Sequence, residues 1–478
     1  MKHAKKKEVS QGMKSAVVYT LASVFSRGLA FITVPIFTRL MTTSEMGTVN
    51  LFTTWQTMIN VVVTLALTSG GYMVALKEFE KERNQYESSV LTLTSFSALA
   101  CFVIYFINPS FWNSITGLDE SLSLLMLFGF LFTPATDFWL ARQRFEYKYV
   151  KAALVIIGSA VLASALSVAV VIMLHGTDNV AHGRLFANYS VLYVVAIILW
   201  FYTMIRGKVF ISKKYWKFSL ALSLPLIANS FAVQVFNAAD RIMIGNMVGH
   251  SAVGIYGTLS SISMISTIVW GAINTSFIPF LYRNIDDDEG KKKIKDISIR
   301  LLFAYSLVCI GITYFAPEVV RIVATEEYYS AIYIMPPLAG GIFQIAISNM
   351  YSNVLLYHKK SSFIMISSIA AACTNVVLNA IFIPWMGYMS AAYTTLFAYF
   401  VLSGIQMFVS RRVHFRFVNG KETVYPDAIV LLISGGMTVV CLLALPLYKL
   451  YLIRFAIICL IFVVFLILFK KNKEMMSR

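Results

Sequence analysis

Long apolar stretches recur along the whole 478-residue chain and are separated by short polar segments. An α-helix needs about 20 apolar residues to cross the hydrocarbon core of a bilayer, so each stretch predicts a membrane-spanning helix. We place fourteen spans, at residues 15–41, 48–75, 88–107, 121–141, 152–174, 184–205, 218–246, 253–282, 299–316, 330–357, 362–385, 389–410, 425–446 and 450–469. The pattern predicts an all-α polytopic membrane protein with about 14 transmembrane helices.

A weak internal repeat joins the first and second parts of the chain. The sequence LMTTSEMGTV, which starts at Leu40, aligns with MVGHSAVGIY, which starts at Met247, so that Gly47 matches Gly254 at an offset of 207 residues. Paired halves around a central site are common in alternating-access transporters. We therefore predict a basic N-terminal segment (1–14), an N-lobe of six helices (15–206), a C-lobe of six helices (207–411), two further helices (412–470) and a C-terminal tail (471–478).

Positive charge is concentrated at the two ends and in alternate loops. The net charge is +17, although only 13% of the residues are charged and 58% are hydrophobic. The basic loops are Lys77–Arg83, Arg142–Lys151, Arg206–Lys217, Arg283–Arg300, Lys359–Lys360 and Arg411–Lys421, whereas the loops between them carry very few cations. Because short cytoplasmic loops are enriched in Lys and Arg, both termini are predicted to be cytoplasmic. Contact with anionic lipids explains the charge, and no nucleic-acid partner is expected.

The sequence carries no signature of an enzyme. It has no GxGxxG, Walker A or GxSxG motif, and no loop is long enough for a separate domain. The five cysteines lie in apolar segments without CxxC or zinc spacing, so we expect small core residues. The acidic run Asp286–Glu289 precedes three lysines and is expected to be a solvated, self-neutralising loop. We expect no cleaved signal peptide and no cofactor, and the sequence leaves a coupling ion open.

Arg27 is the most informative polar residue of the first span. It lies near the middle of the apolar stretch from Met13 to Met41. A charge at that depth costs roughly 2.5 kcal/mol or more, which makes it a candidate functional residue. We predict a cavity cation that receives an anionic cargo, because the planar guanidinium donates two parallel hydrogen bonds to a phosphate. The alternative is a structural partner for a carboxylate or a helix end.

Several later spans carry polar residues at helical spacing. The candidate substrate-binding positions outside the first span are Gln234, Asn237, Asp240 and Arg241 in the seventh span, Trp270 and Asn274 in the eighth, and Asn349 and Asn353 in the tenth. Residues at this spacing lie on one face of each helix. The functional interpretation is that these faces line a hydrated cavity between the two halves. The alternative is polar contact between helices, which is common in membranes. For Asp240 we also consider a coupling-cation ligand or a residue that orients an arginine.

Two segments together resemble a known group of transporters. They are SRGLAFITVPIFTRL, which starts at Ser26, and DRIMIGNMVGHSAVGIY, which starts at Asp240. With fourteen spans, they resemble the polysaccharide flippases of Wzx type, in the superfamily that also holds the MATE exporters and the lipid II flippase MurJ. The resemblance covers residues 12–470. It implies a MATE-like bundle of two lobes with a central cationic cavity.

The resemblance also implies a cargo and a location. The cargo would be an undecaprenyl-diphosphate-linked oligosaccharide, moved across the bacterial plasma membrane by alternating access for surface polysaccharide biosynthesis. Arg27 and Arg241 would bind the diphosphate, and the helix faces that carry the Asn and Gln side chains and Trp270 would contact the sugars. Partners would be the lipid-linked oligosaccharide, membrane lipids, a polysaccharide polymerase and other assembly proteins. The alternatives are a MATE-type cation-coupled multidrug exporter, a lipid II flippase, or a membrane polymerase or ligase.

Overall fold

The computed structural model describes residues 2–69, 71–417 and 422–459, and all regular secondary structure in those ranges is helical. Three short 3-10 segments lie at Leu67–Ser69, Glu80–Glu82 and Glu326–Ile334. The α-helices are α1 (Lys2–Leu40), α2 (Thr43–Val63), α3 (Gly71–Glu78), α4 (Arg83–Ile107), α5 (Pro109–Thr116), α6 (Glu120–Phe145), α7 (Tyr149–Met173), α8 (Val180–Gly207), α9 (Lys213–Met247), α10 (His250–Ser263), α11 (Ser266–Asn284), α12 (Asp288–Tyr314), α13 (Ala316–Val323), α14 (Met335–Tyr357), α15 (Ser361–Met386), α16 (Ser390–Phe417), α17 (Asp427–Leu442) and α18 (Ala444–Leu447).

The helices confirm the predicted polytopic membrane protein. Within the described ranges, 11 segments are long and apolar enough to cross a membrane, and each coincides with a predicted span. Of the three other predicted spans, 218–246 corresponds to α9 and 48–75 to α2 and α3. The last predicted span, 450–469, extends beyond the described residues, and the predicted tail 471–478 lies outside them.

The second predicted span is broken, whereas its apolar pattern suggested one continuous helix. After α2 ends, Leu65 and Ala66 adopt positive φ angles of 51° and 46°, which are unfavourable for residues with a Cβ atom. The backbone remains paired there, since the amide of Ala66 donates to the carbonyl of Val61 at 3.1 Å. Irregular backbone at membrane depth is tolerated when it is packed inside protein, and Ala66 is buried.

The chain divides into two compact units, Met1–Gly257 and Thr258–Arg478. In the first unit α4, α6 and α8 pack on one another, α1 packs along α7, and α2 packs along α9. A cluster of aromatic rings around Tyr72, Tyr86 and Phe138 forms part of its core. The division between units falls within α10, so the lobe boundary predicted near residue 206 stays a prediction.

Helix α14 lies at the centre of the second unit. It packs against α11, α12, α15, α16 and α17, and most of its residues are buried. Its polar side chains are tied to these neighbours: Gln344 donates to Ser434 at 2.6 Å, and Ser348 donates to Gln406 at 2.6 Å. Interhelical hydrogen bonds of this kind help to hold membrane bundles together, because lipid provides no hydrophobic driving force for helix association.

A second polar tie joins α15 to α16. Asn375 donates to Thr395 at 3.0 Å, Asn379 donates to Asn375 at 3.2 Å, and Thr394 donates to Asn379. Asn375 and Asn379 have no exposed surface. They therefore act as contacts between helices and line no cavity in this conformation.

The two segments related by the internal repeat meet where α2 and α10 begin. A Cβ atom on Gly47 would lie 1.8 Å from the backbone oxygen of His250, and one on Gly254 would lie 1.9 Å from that of Thr43. Thr43 and Ser251 also share a hydrogen bond of 2.7 Å between their hydroxyl groups. The repeat offset maps Thr43 onto His250 and Gly47 onto Gly254, so the contact is reciprocal and the two glycines are required for it.

The α15–α16 tie yields a stability prediction. Asn379→Ala leaves buried polar groups of Asn375 and Thr394 without their partner, and we expect a loss of about 1–2 kcal/mol in the free energy of unfolding. The measurement is thermal unfolding of the purified protein in detergent. Thr275→Ala is the control, because Thr275 is exposed and donates only to its own helix. Equal unfolding temperatures for both variants would contradict the structural role of the tie.

Candidate functional site

Arg27 lies on the side of α1 that does not pack against α7. The buried residues Ala22, Thr33 and Phe37 mark the packed side of the helix. At 100° per residue Arg27 is displaced from that side by about a third of a turn, and its side chain is exposed. It is close to the middle of the membrane-spanning segment Val18–Leu40. The predicted mid-span position of this cation is therefore matched by an accessible side chain.

The exposed part of α1 has a polar flank and an apolar flank. Thr20 and Ser23 are exposed and fall within about 40° of Arg27 around the helix axis. Leu21 and Ile32 lie on the other flank and are 63% and 66% exposed. Exposed apolar side chains suit contact with lipid, whereas the hydroxyls and Arg27 suit contact with water or a polar ligand.

Arg27 makes neither an ion pair nor a side-chain hydrogen bond with any residue in the described part of the chain. Arg39 of the same helix differs, since its Nη1 donates to the carbonyl oxygen of Pro35 at 2.8 Å. Arg184 is likewise held by protein, with its guanidinium 3.6 Å from the ring centre of Phe37. An exposed arginine at mid-span without a protein partner is the arrangement expected of a ligand-binding cation.

Asp240 and Arg241 are more enclosed. Asp240 is buried and accepts a hydrogen bond of 2.5 Å from the hydroxyl of Tyr256 on α10. Arg241 is half-buried beside the same two residues. Asp240 thus ties α9 to α10 near the reciprocal glycine contact. Its predicted contact with cargo, and that of Arg241, stay predictions.

Gln234 and Asn237 form the accessible part of the α9 stripe. Asn237 is exposed, Gln234 is half-buried, and the amide nitrogen of Asn237 lies 3.5 Å from the amide oxygen of Gln234. A contact of that length is weak, so both amides keep hydrogen-bonding capacity for a ligand. These two positions have the exposure that a sugar-binding surface requires.

The candidate residues of the second unit are mostly packed inside it. Trp270 is buried, its ring centre is 5.1 Å from that of Tyr305, and its indole nitrogen has no hydrogen-bond partner among the described residues. Asn353 is buried and donates to Asn274 at 2.8 Å, and Asn349 is half-buried. In this conformation Asn274 and Asn353 bond each other between α11 and α14. Their predicted contact with sugar would require this bond to exchange for one to the ligand.

Sequence reasoning missed a polar cluster around Asp137 in the first unit. The half-buried Asp137 hydrogen-bonds Asn60 and lies near Arg144, whose guanidinium carbon is 5.4 Å from the ring centre of Tyr19. The four residues come from α1, α2 and α6. No spacing in the sequence connects them, because the cluster exists only through the packing of three helices.

The acidic run near residue 287 neutralises the lysines that follow it, as the sequence predicted, but Asp288 and Glu289 begin helix α12 instead of lying in a loop. Asp287 accepts a hydrogen bond from the amide of Gly290 at the start of α12, and Asp288 and Glu289 pair with Lys291 and Lys293 at 2.9 and 2.8 Å. No group of three metal-binding side chains occurs among the residues that the structure describes.

Solved structures show which class of protein has this fold. The lipid II flippase MurJ in an inward closed conformation superposes with a TM-score of 0.67 at 16% identity, covering 95% of this chain and 99% of that one. An inward-facing multidrug resistance MATE family transporter of the MOP superfamily superposes with a TM-score of 0.61 at 15% identity, covering 84% and 96%. The chain therefore has the fold that is seen in MurJ and in this MATE family transporter.

Sequence comparison identifies the family. Residues 13–285 match the family described as "Polysaccharide biosynthesis protein", and the chain belongs to that family. An uncharacterized membrane protein of Methanocaldococcus jannaschii, MJ1068, is 23% identical over 251 residues, so the chain spans about half the length of this curated relative. The predicted resemblance to flippases of Wzx type is confirmed.

The two flanks of α1 can be distinguished by cysteine labelling. In a variant without the five native cysteines, we expect Ser23→Cys and Arg27→Cys to react with a membrane-impermeant maleimide at least about tenfold faster than Leu21→Cys and Ile32→Cys. The reason is that a thiol ionises in water and not in lipid. The measurement is the labelling rate in intact vesicles and in opened membranes. Equal rates at all four positions would contradict a hydrated polar flank.

Proposed function

We propose that this protein is a flippase that moves undecaprenyl-diphosphate-linked oligosaccharide repeat units across the bacterial plasma membrane for surface polysaccharide biosynthesis. The observation that carries the proposal is the guanidinium of Arg27, which is exposed at mid-span and pairs with no residue in the ranges that the structure describes. An anionic group that reaches this depth gains a charge-assisted, two-pronged hydrogen bond and relieves the cost of the isolated cation. Membership of the polysaccharide biosynthesis family supports a glycan as the remainder of the cargo.

The sugar part of the cargo would be bound by the amides of α9. Gln234 and Asn237 together offer donors and acceptors at the spacing of one helical turn. Arg241 is the second candidate for the diphosphate, and Asp240 keeps it in place beside Tyr256. In this proposal Asn274, Trp270, Asn349 and Asn353 contact the sugars after α11 and α14 move apart.

The distribution of cations supports an orientation. The basic loops and the basic N-terminal residues fall on one side of the membrane when the predicted spans are followed in order. We place that side in the cytoplasm, with both termini. Cargo then enters from the cytoplasmic leaflet, and the segment where α2 and α10 meet faces outward.

We propose that the reciprocal contact of Gly47 and Gly254 is the outer gate. At the two glycines themselves backbone atoms meet backbone atoms, so no side chain interlocks at these two points. In alternating access this contact closes one state and opens in the other. Cargo drives the change only if it binds one state more tightly than the other.

A MATE-type exporter of organic cations is a second candidate. Such a cargo calls for an accessible carboxylate within the spans. The carboxylates of Asp240 and Asp137 are engaged by Tyr256 and Asn60, and that of Glu87 is engaged by Arg142. The accessible mid-span charge is a cation, which favours an anionic cargo. A lipid II flippase would share the diphosphate chemistry and differ only in the sugars.

The main test is reconstitution in liposomes with a tagged undecaprenyl-diphosphate oligosaccharide. We expect Arg27→Ala to lower the translocation rate by about 100-fold and Arg27→Lys by about tenfold, because lysine keeps the charge and loses the two-pronged geometry. Arg39→Ala is the matched control, since Arg39 bonds its own helix, and its rate should stay within about twofold of wild type.

Each alternative gives a different result in the same vesicles. Transport of lipid II at a higher rate than other lipid-linked oligosaccharides would identify the protein as a lipid II flippase. Export of cationic dyes without transport of any diphosphate lipid would identify it as a multidrug exporter. Wild-type rates in both Arg27 variants would remove Arg27 from the mechanism.

The gate is tested by a cross-link. Thr43→Cys with Ser251→Cys places two sulfurs where the hydroxyl groups are 2.7 Å apart, and we expect oxidation to abolish transport and reduction to restore it. The control pair is Asn113→Cys with Ser123→Cys, whose parent side chains are joined by a 3.0 Å hydrogen bond inside the predicted N-lobe. Transport that persists with the first pair fully oxidised would show that this contact stays closed during the cycle.

A further inference from the structure

A cavity of about 520 Å³ opens in the first unit, among the first turns of α4 and α7 and the last turns of α6 and α8. Its polar lining residues are Asn84, Glu87, Arg142, Gln143, Glu146, Lys148, Lys151, Thr203 and Arg206, and its apolar ones include Trp139, Ile198 and Tyr202. None of them belongs to α1 or α9, so the cavity is separate from the candidate cargo residues. The proposed function assigns it no role.

The base of the cavity is a fixed polar network around Arg142. Its Nη1 donates to Asn84 at 2.7 Å and to Glu87, and its Nε donates to Glu146 at 2.8 Å. Glu87 is buried and also accepts a hydrogen bond from Tyr72. The guanidinium is therefore held in one orientation, while its Nη2 donates to no residue in the described part of the chain.

The cavity has an excess of positive charge at its mouth. Burial raises the pKa of Glu146, but the hydrogen bonds from Lys148 and Arg142 lower it by more. The pKa of Glu146 is therefore below its usual range, and the carboxylate is ionised at neutral pH. Glu87 and Glu146 balance Arg142 and Lys148. Lys151 and Arg206 are left over, and both are exposed.

The two surplus cations differ in how firmly they are held. Arg206 donates to the hydroxyl of Tyr202, one turn earlier on α8, which keeps its guanidinium at the edge of the cavity. Lys151 makes no ion pair with the residues described by the structure. Two surplus cations at the mouth of an open cavity with a polar base suit an anionic headgroup.

The wall of the cavity continues into an apolar surface of α8. Ile198, Phe201, Tyr202 and Ile205 are all exposed, with Ile198 at 61% and Ile205 at 67%. They lie three and four residues apart and form one face of the helix. This face belongs to a membrane-spanning segment, Val180–Gly207. A ligand with its head in the cavity could therefore lay an acyl chain along α8.

We propose that this cavity binds the headgroup of an anionic membrane phospholipid from the leaflet beside it. The phosphodiester meets Arg206, Lys151 and the free Nη2 of Arg142, and the acyl chains contact the apolar face of α8. Basic pockets between transmembrane helices are a known mode of recognition for acidic lipid headgroups. The site is distinct from the cargo path, because a lipid bound there contacts neither Arg27 nor α9.

The test measures lipid binding to the purified full-length protein by native mass spectrometry, with phosphatidylglycerol and phosphatidylcholine as probes. We expect Lys151→Gln with Arg206→Gln to weaken binding of phosphatidylglycerol by about thirtyfold, as for the loss of two cations at a headgroup. The matched control is Lys213→Gln with Lys217→Gln. These two exposed lysines of α9 remove the same charge outside the cavity and should change binding by less than about twofold.

Every other outcome overturns the proposal. Equal weakening by both pairs would show diffuse attraction to the basic surface. Equal binding of phosphatidylcholine would show that the headgroup charge is not recognised. Displacement of phosphatidylglycerol by millimolar inorganic phosphate would assign the cavity to a free anion. Arg206→Gln alone repeats the test with one exposed side chain if the double variant does not fold, and wild-type binding by this variant would overturn the proposed site.

Discussion

Polar groups inside a membrane need partners within the protein, and this requirement shapes both units of the fold. Asn375, Asn379 and Gln344 are paired across helices, and Glu87 is paired with Arg142. Even the broken second span keeps its backbone amides bonded. Against this background the exposure of Arg27 is a real cost, of roughly 2.5 kcal/mol or more if lipid alone surrounded it. Such a charge is tolerated at this depth when water or a ligand contacts it.

The sequence predicted the helices well, since the apolar period and length of a spanning helix are local properties. It did not predict the break near Leu65 and Ala66, because neither residue is a turn former and only the surrounding packing holds their positive φ angles. The capping box formed by Thr42 and Glu45 at the start of α2 is local, by contrast, and is visible in the sequence. A local feature such as a capping box can be predicted from one sequence, whereas backbone strain imposed by packing against other helices cannot.

The candidate site residues also differ in how far their surroundings could be predicted from the sequence. The exposure of Arg27 and Asn237 follows from their own helices. The burial of Asp240 and Trp270 depends on Tyr256 and Tyr305, which lie elsewhere in the sequence. A polar stripe indicates one face of a helix but not what that face contacts. The Arg142 cavity escaped notice for the same reason, because its lining comes from four helices.

In the two proposals the same functional group has different roles, transport at Arg27 and lipid retention at Arg142. Arg142 is oriented by Asn84, Glu87 and Glu146 before any ligand arrives, so a headgroup that binds there changes little in the protein. Arg27 has no such support from the residues that the structure describes, and an anion that reaches it would remove the cost of an isolated charge. Only the second arrangement makes the energy of a conformation depend strongly on whether cargo is present. Differential binding of that kind is what alternating access requires.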